Sequence, residues 1–308
     1  MKHQITKRRG SNVIKNKRGV SVVISTVIIT TTILVMVLIT VATANNVLST
    51  SLAENEFVAA QQFMLTTGLQ IDNVAWTVGR TQTINYYSNF GHVRFQTVAL
   101  TYSVQMHSNV TGEWELVFPS NITTGMVLFN MPLTAYNLYN GKFERLLPTI
   151  LKFQNGTTVP PDQNGPFLQN GTTAPVSHVF IHELLPANNE SYLRIAAVPS
   201  IRVLNSSIVS PTQSTCYYKF FLPTLERSSE NPLLTQSITM VGGQVTKVIR
   251  KDIDQVNITV SFPSGFGQDF FKFDGLVTSD GIVETVALPP DSVVEFYIGK
   301  VIVSQGVA

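Results

Sequence analysis

Few groups in this 308-residue chain have the type and spacing to do chemistry. His178 and His182 stand four apart, with Glu183 directly after them. Neutral imidazole is a common metal ligand. On extended backbone, however, positions four apart share a face at a distance of about 13 Å, too far to chelate one ion. Beta-branched Val176, Val179 and Ile181 favour strand over the helix that would bring the two rings together. The pair therefore reads as partly exposed polar positions of a strand. Cys216 is the single cysteine, so the chain can form neither an intramolecular disulfide nor a thiolate cluster. Within the apolar run 215–222 it reads as a small buried residue of a strand. No nucleophile elbow, phosphate loop, zinc-protease helix or paired-cysteine motif occurs. Enzymatic activity, a metal and a cofactor are not expected.

At the remaining sites the chain would be substrate rather than catalyst. Asn-x-Ser/Thr sequons occur at Asn109, Asn121, Asn155, Asn170, Asn189, Asn205 and Asn257, each a candidate acceptor for N-linked glycan on an exported chain. The other site is a peptide bond. Lys17-Arg18-Gly19-Val20 sets a basic pair and a residue without Cβ directly against a long apolar run, where a peptidase at the membrane surface could reach it.

The elements that position these groups follow from charge and hydropathy. Residues 20–44 contain no charge, Pro or Gly. As a helix at about 1.5 Å per residue they span about 37 Å, enough to cross a hydrocarbon core of about 30 Å. Many are β-branched, but a lone segment in lipid must satisfy its own backbone hydrogen bonds and so becomes helical. Thr30, Thr31 and Thr32 can return their hydroxyls to carbonyls one turn earlier. Charge remains absent up to Glu54, which gives about 50 Å of uncharged helix, more than a bilayer requires. Leu48 and Leu52 lie in that surplus and are candidates for packing against neighbouring helices. Apolar spacing carries the helix to Thr67, with Gly68 as its expected stop.

Seven of the 21 Lys and Arg residues fall within the first 18 positions, and the next one after them is Arg80. This asymmetry predicts a cytoplasmic N-terminus and an outer remainder. A nucleic-acid binder would spread its positive charge over a folded face, so no nucleic-acid partner is expected. The charged fraction of 13% suits an extracellular surface better than a cytosolic one.

The succession of a basic pair, Gly19 and a long apolar helix resembles the class III leader of archaeal type IV pilins and archaellins, over roughly residues 15–50. The resemblance implies that a prepilin peptidase cuts after Gly19. It also implies that the freed helix, starting at Val20, packs with copies of itself or related pilins in the core of a surface filament serving adhesion or surface structure. Bacterial members carry Glu at the fifth mature position, where this chain has Ile24, so the likeness is to the archaeal type. Many archaeal pilins carry Pro at the third, where this chain has Val22. Arg8-Arg9-Gly10 offers a similar local pattern, but polar Ser11-Asn12 and Lys15 follow it. Two other readings stay open. One is an uncut anchor holding a monomeric extracellular binding or envelope-associated domain. The other is an ordinary secretory signal removed after Ala42-Thr43-Ala44.

Beyond Gly68 the pattern becomes short apolar or alternating runs between turn residues. Strands are expected at 93–106, 114–118, 192–198, 201–204, 215–222, 237–241, 244–250, 256–262, 282–287 and 293–303. Gly242-Gly243 reads as a hairpin turn between two of these runs. A stretch rich in Asn, Gly and Pro at 152–177 holds Gln-Asn-Gly-Thr-Thr twice and reads as a long surface loop. The expected architecture is α+β. It comprises a basic leader (1–19), a long apolar helix (20–68, membrane span 20–44) and a β-rich, sandwich-like extracellular head (69–308), built as one unit or as two subdomains either side of the loop.

Overall fold

The computed structural model describes residues 17–134, 144–147, 167–184, 192–209, 214–229, 236–262 and 281–306. One helix, α1 (Lys17–Ala75), precedes a β region. Its strands are β1 (Thr81–Asn85), β2 (His92–Ser108), β3 (Trp114–Leu116), β4 (Ile122–Pro132), β5 (Glu144–Leu147), β6 (Leu168–Asn170), β7 (Ser177–Leu184), β8 (Tyr192–Pro199), β9 (Ile201–Val209), β10 (Ser214–Arg227), β11 (Ser237–Ser261) and β12 (Ile282–Gln305). The class is α+β, as the sequence predicts. Two compact units divide between Leu52 and Ala53.

The first unit holds α1 up to Leu52. Threonine would normally weaken a helix, yet here its hydroxyls serve the helix backbone. Thr30 Oγ1 donates to the Thr26 carbonyl at 2.7 Å, and Thr31 and Thr32 donate to Val27 and Ile28 at 2.8 Å each. Thr40 and Thr43 repeat the pattern. Every side chain from residue 22 to 52 is exposed within the chain. Among the described residues this is the one helix long and apolar enough to cross a membrane, with a window of mean hydropathy 2.7.

The second unit begins at Ala53, and its part of α1 lies against the sheet. Phe57, Met64, Ile71 and Val74 recur at helical spacing and are buried with Val127, Phe129, Met240 and Val301 of the strands. Burying each such side chain contributes roughly 1.5–3 kcal/mol. Gly68 was the expected stop, but the helix continues to Ala75. The glycine serves close approach instead: a Cβ there would meet Val179 Cγ2 at 2.7 Å and Ser177 Oγ at 3.0 Å. The Ser177 hydroxyl donates to the Gly68 carbonyl at 2.8 Å, tying β7 to the helix backbone.

The strands form one sheet in the order β5-β7-β8-β4-β2-β11-β12-β10-β9-β6, with β1 on β11 and β3 on β2. Pairing is antiparallel except for β10 with β12 and β6 with β9. The expectation missed β4, whose run has no polar alternation. Met126 and Leu128 enter one core, while Val127 and Phe129 enter the core beneath the helix, so the strand is apolar on both faces. The first core is shared by Tyr102 of β2, Leu128 of β4, Val198 of β8, Phe220 of β10 and Phe296 of β12.

One expected hairpin and one expected break between strands prove to be continuous strands. Gly242 and Gly243 lie inside β11, which pairs straight through them with β12. The smallness of Gly242 gives room to the end of α1 and the turn after it: a Cβ there would sit 2.1 Å from the Thr77 carbonyl oxygen, and one on Gly299 of β12 would sit 2.4 Å from that of Ala75. The runs at 282–287 and 293–303 likewise join as β12. Both long strands bend at facing positions, where Asp252 (φ 60°) and Asp291 (φ 62°) adopt left-handed backbone and the ladder shifts register. Of the expected surface loop, residues 152–166 lie outside the described residues. Phe167 and Leu168 are buried, and the second Gln-Asn-Gly-Thr-Thr copy forms part of β6 and the turn after it.

Candidate functional site

The most unusual surface of the described chain is the first unit of α1. Ile33, Leu34, Leu38 and Ile39 are each more than half exposed, and so are Leu48 (59%) and Leu52 (51%), the two expected packing residues. An apolar helix exposed on all sides has an interior environment as its natural surrounding, either lipid or other protein. Lys17, Arg18, Gly19 and Val20 occupy its first turn. The amides there have no carbonyl one turn earlier to bond, so this turn is the easiest to open.

Within the second unit, α1 is fixed to the strands at residue 56, a role that sequence reading did not assign. Glu56 is only 8% exposed. Its carboxylate accepts N–H bonds from Asn89 at 2.8 Å, Phe90 at 3.0 Å and Gly91 at 2.8 Å, together with the Ser88 hydroxyl at 2.5 Å. The loop joining β1 to β2 thus forms an anion-holding concavity around one side chain of α1. Gln236 closes the far side of the loop: its Oε1 accepts the Ser88 N–H and its Nε2 donates to the Ser88 carbonyl. Nearer the end of α1, Asp72 accepts the Trp76 indole N–H at 2.7 Å and pairs with Arg202 of β9 at 2.7 Å. The Gly79 N–H donates to the Gly242 carbonyl, so the chain leaves the helix already bonded to β11. The only hint in the sequence was position, since Glu54 and Glu56 are the first charges after the leader.

The histidines and Cys216 do not come together. His178 and His182 both lie on β7, as expected. His178 is fully buried rather than partly exposed, its Nε2 3.1 Å from Gln169 Nε2 and its ring edge-on to Phe167. It stands opposite Val198 of β8 with the Phe167 ring beside it, a burial that the strand pattern alone did not reveal. Cys216 is a strand residue of β10 opposite Ser207, but it is half-buried rather than buried. Among the described residues no cluster of His, Cys, Asp or Glu could hold a metal ion.

Glu284 of β12 was not singled out by the sequence. It is 5% exposed, its Oε1 accepts the Phe167 N–H at 2.7 Å, and its Oε2 is buried with no partner among the described residues. Burial raises its pKa to about 7 against the opposing pull of the Phe167 and Leu168 amides. Tyr102, fully buried nearby, is pushed well above its ordinary value by burial and by the Glu284 charge, and it donates to the Pro199 carbonyl. Glu284 and Tyr102 thus form a buried pair of titratable groups within the core.

Of the sequons, Asn109, Asn121, Asn170 and Asn205 are exposed and Asn257 is half-buried, while Asn155 and Asn189 lie outside the described residues. Comparison with protein-family models, curated proteins and solved structures finds nothing that matches this chain.

Proposed function

We propose that this chain is a pilin-like subunit of an archaeal type IV pilus-type surface filament, structural or adhesive in role. In this reading the basic leader lies in the cytoplasm, the helix first crosses the membrane, and a prepilin peptidase removes residues 1–19. The mature chain then joins copies of itself or related pilins, with a sandwich-like head facing the exterior. One observation supports the reading above the rest. Residues 22–52 are apolar or uncharged and exposed all round, over a length of about 46 Å against the roughly 30 Å a bilayer needs. A helix that only anchors has no use for the surplus, whereas one that packs among identical helices buries all of it. The Lys-Arg-Gly junction directly before the apolar run supplies the processing step. The chain acts in this scheme as the peptidase's substrate and does no chemistry of its own.

Mass spectrometry of the N-terminus of protein purified from its own cells tests the proposal. Val20 is the expected first residue, and Gly19→Leu should leave the leader in place. A terminus at Asn45 would assign the cut to an ordinary signal peptidase. An uncut chain would favour a monomeric anchored binding domain.

A further inference from the structure

We propose that β9 of one copy of this chain pairs edge to edge with β9 of a second copy, antiparallel about a two-fold axis at Ser207. Among the described residues β9 is bordered only by β10 and, at its start, by β6. Strand β6 reaches Val203 and goes no further, while β10 pairs with β9 from Arg202 to Val209 without a shift of register. Residues 205–209 therefore have a neighbour on one side and an unpaired edge on the other, and Asn205, Ser206, Ser207 and Ile208 are all exposed. Which backbone groups face that edge follows from alternation along a strand. The Val203 carbonyl accepts the Gly171 N–H on the β6 side. The N–H and C=O of Asn205, Ser207 and Val209 point the same way, and those of Ser206 and Ile208 serve the β10 ladder. The outward groups form a row of donors and acceptors about 14 Å long. One chemistry matches such a row, another extended backbone.

Exposed edges normally carry a device against such pairing, most often a charge, a proline or a bulge. Strand β3 has Glu115, and β5 has Glu144 and Arg145. The free part of β9, Asn-Ser-Ser-Ile-Val, has none of the three. Ile208, 61% exposed, adds an apolar contact. The missing charge also favours the same strand as occupant, because a second copy brings no like charge against the first. One register engages every free residue of both copies: Ser207 opposite Ser207, Asn205 opposite Val209 and Ser206 opposite Ile208. Sliding the pair two residues toward the start of β9 would bring in Val203, whose carbonyl already serves Gly171. The contact is isologous, the same patch on both copies. It goes beyond the filament reading and stands without it. In a filament, whose neighbours are related head to tail, a two-fold contact joins subunits of separate filaments.

Full-length protein in detergent tests the pairing. In a Cys216→Ser background, Ser207→Cys should give a covalent dimer with a short bismaleimide, whereas Thr111→Cys, exposed on the turn after β2, should not. Adding Asn205→Pro removes one outward N–H and leaves the β10 ladder intact, so the crosslink should vanish while thermal unfolding stays the same. Hydrogen exchange on the unmutated chain gives a second reading that depends on no variant's folding. The Asn205 and Ser207 amides should exchange about tenfold more slowly in concentrated than in dilute protein, while the Thr111 amide keeps one rate. The proposal is overturned by no crosslink at 207, by equal crosslinking at 111 and 207, or by a crosslink that survives Asn205→Pro. Outward amides with one rate at both concentrations would overturn it as well. Mass spectrometry of the N-terminus reads the leader separately, so this pairing and the filament reading can fail independently.

Discussion

At the scale of single residues, the informative positions are those where a small side chain or a buried charge meets a constraint set elsewhere in the fold. Gly68 and Gly242 show how magnitude separates two superficially similar sites. Alanine at 68 would gain about 1 kcal/mol of helix propensity, against contacts at 2.7 Å with a Val179 methyl and 3.0 Å with the Ser177 hydroxyl, both side-chain atoms. At 242 the new methyl meets the Thr77 carbonyl at 2.1 Å and that of Val74 at 2.6 Å, both backbone atoms with nowhere to go. Thermal unfolding should therefore show Gly68→Ala costing no more than about 1 kcal/mol and Gly242→Ala about 2–4 kcal/mol. Equal effects at the two sites would contradict the seating of the helix end on β11. Glu284 supplies a pH dependence. Its ordinary value of 4.5 rises to about 7 in the fold. Between these values the folded chain holds a proton that the unfolded chain has released, so stability falls as pH rises from 4.5 and levels off above about 7. The total loss from this group is roughly 3 kcal/mol, at about 1.4 kcal/mol per pH unit. Denaturant midpoints should fall between pH 5 and pH 8, and Glu284→Gln should remove this component and exceed the parent's stability at pH 8.

Among the elements, β11 and β12 matter most, because each runs through a bend that the sequence presents as a break. The bends coincide with Asp252 and Asp291, near the paired positions Ile253 and Ser292. Left-handed backbone costs an ordinary residue roughly 1–2 kcal/mol, and less for Asp, whose short polar side chain bonds locally. Asp252→Gly should thus be close to neutral, while Asp252→Val should lower stability by about 2 kcal/mol, as read by chemical unfolding. A harmless valine would mean that the bend is not held at this residue. Helix α1 is an element with two environments. From residue 22 to Leu52 its side chains are exposed, and from Ala53 it is held by core packing, the Glu56 carboxylate and the Asp72–Arg202 pair.

For the whole molecule, the proposed assembly turns on the uncharged stretch beyond the expected membrane span. An aspartate placed there would sit in water or headgroups on a lone anchor. In a helical core it would be buried and unpaired at a cost of several kcal/mol. Leu52→Asp should therefore leave membrane fractionation unchanged while abolishing filaments in electron micrographs of the cell surface. Normal filaments from that variant would rule out the packing role assigned to Leu48 and Leu52.

The division between what was legible and what was not follows the range of the interactions involved. Local composition was enough for the apolar helix, for the threonine back-bonds at Thr30 to Thr32 and for strands such as alternating β2 and apolar β10, because each depends on neighbours within about one turn or one pleat. Strand β4 escaped because burial on both faces erases the alternation by which a strand is recognised. Gly68 and Gly242 were misread for a related reason. A glycine in sequence signifies only a missing Cβ, and whether that absence allows a turn or the approach of another backbone depends on what lies across from it. Glu56 and Glu284 are the extreme case. Nothing near them in sequence distinguishes them from solvated carboxylates, and their character comes from amides 33 to 35 and 117 residues away. The sequence alone determined that an apolar helix precedes a β-rich region. The tertiary structure decided where that helix ends, which carboxylates are buried and that β9 keeps an unpaired edge, because each depends on groups that only folding brings within a few ångströms.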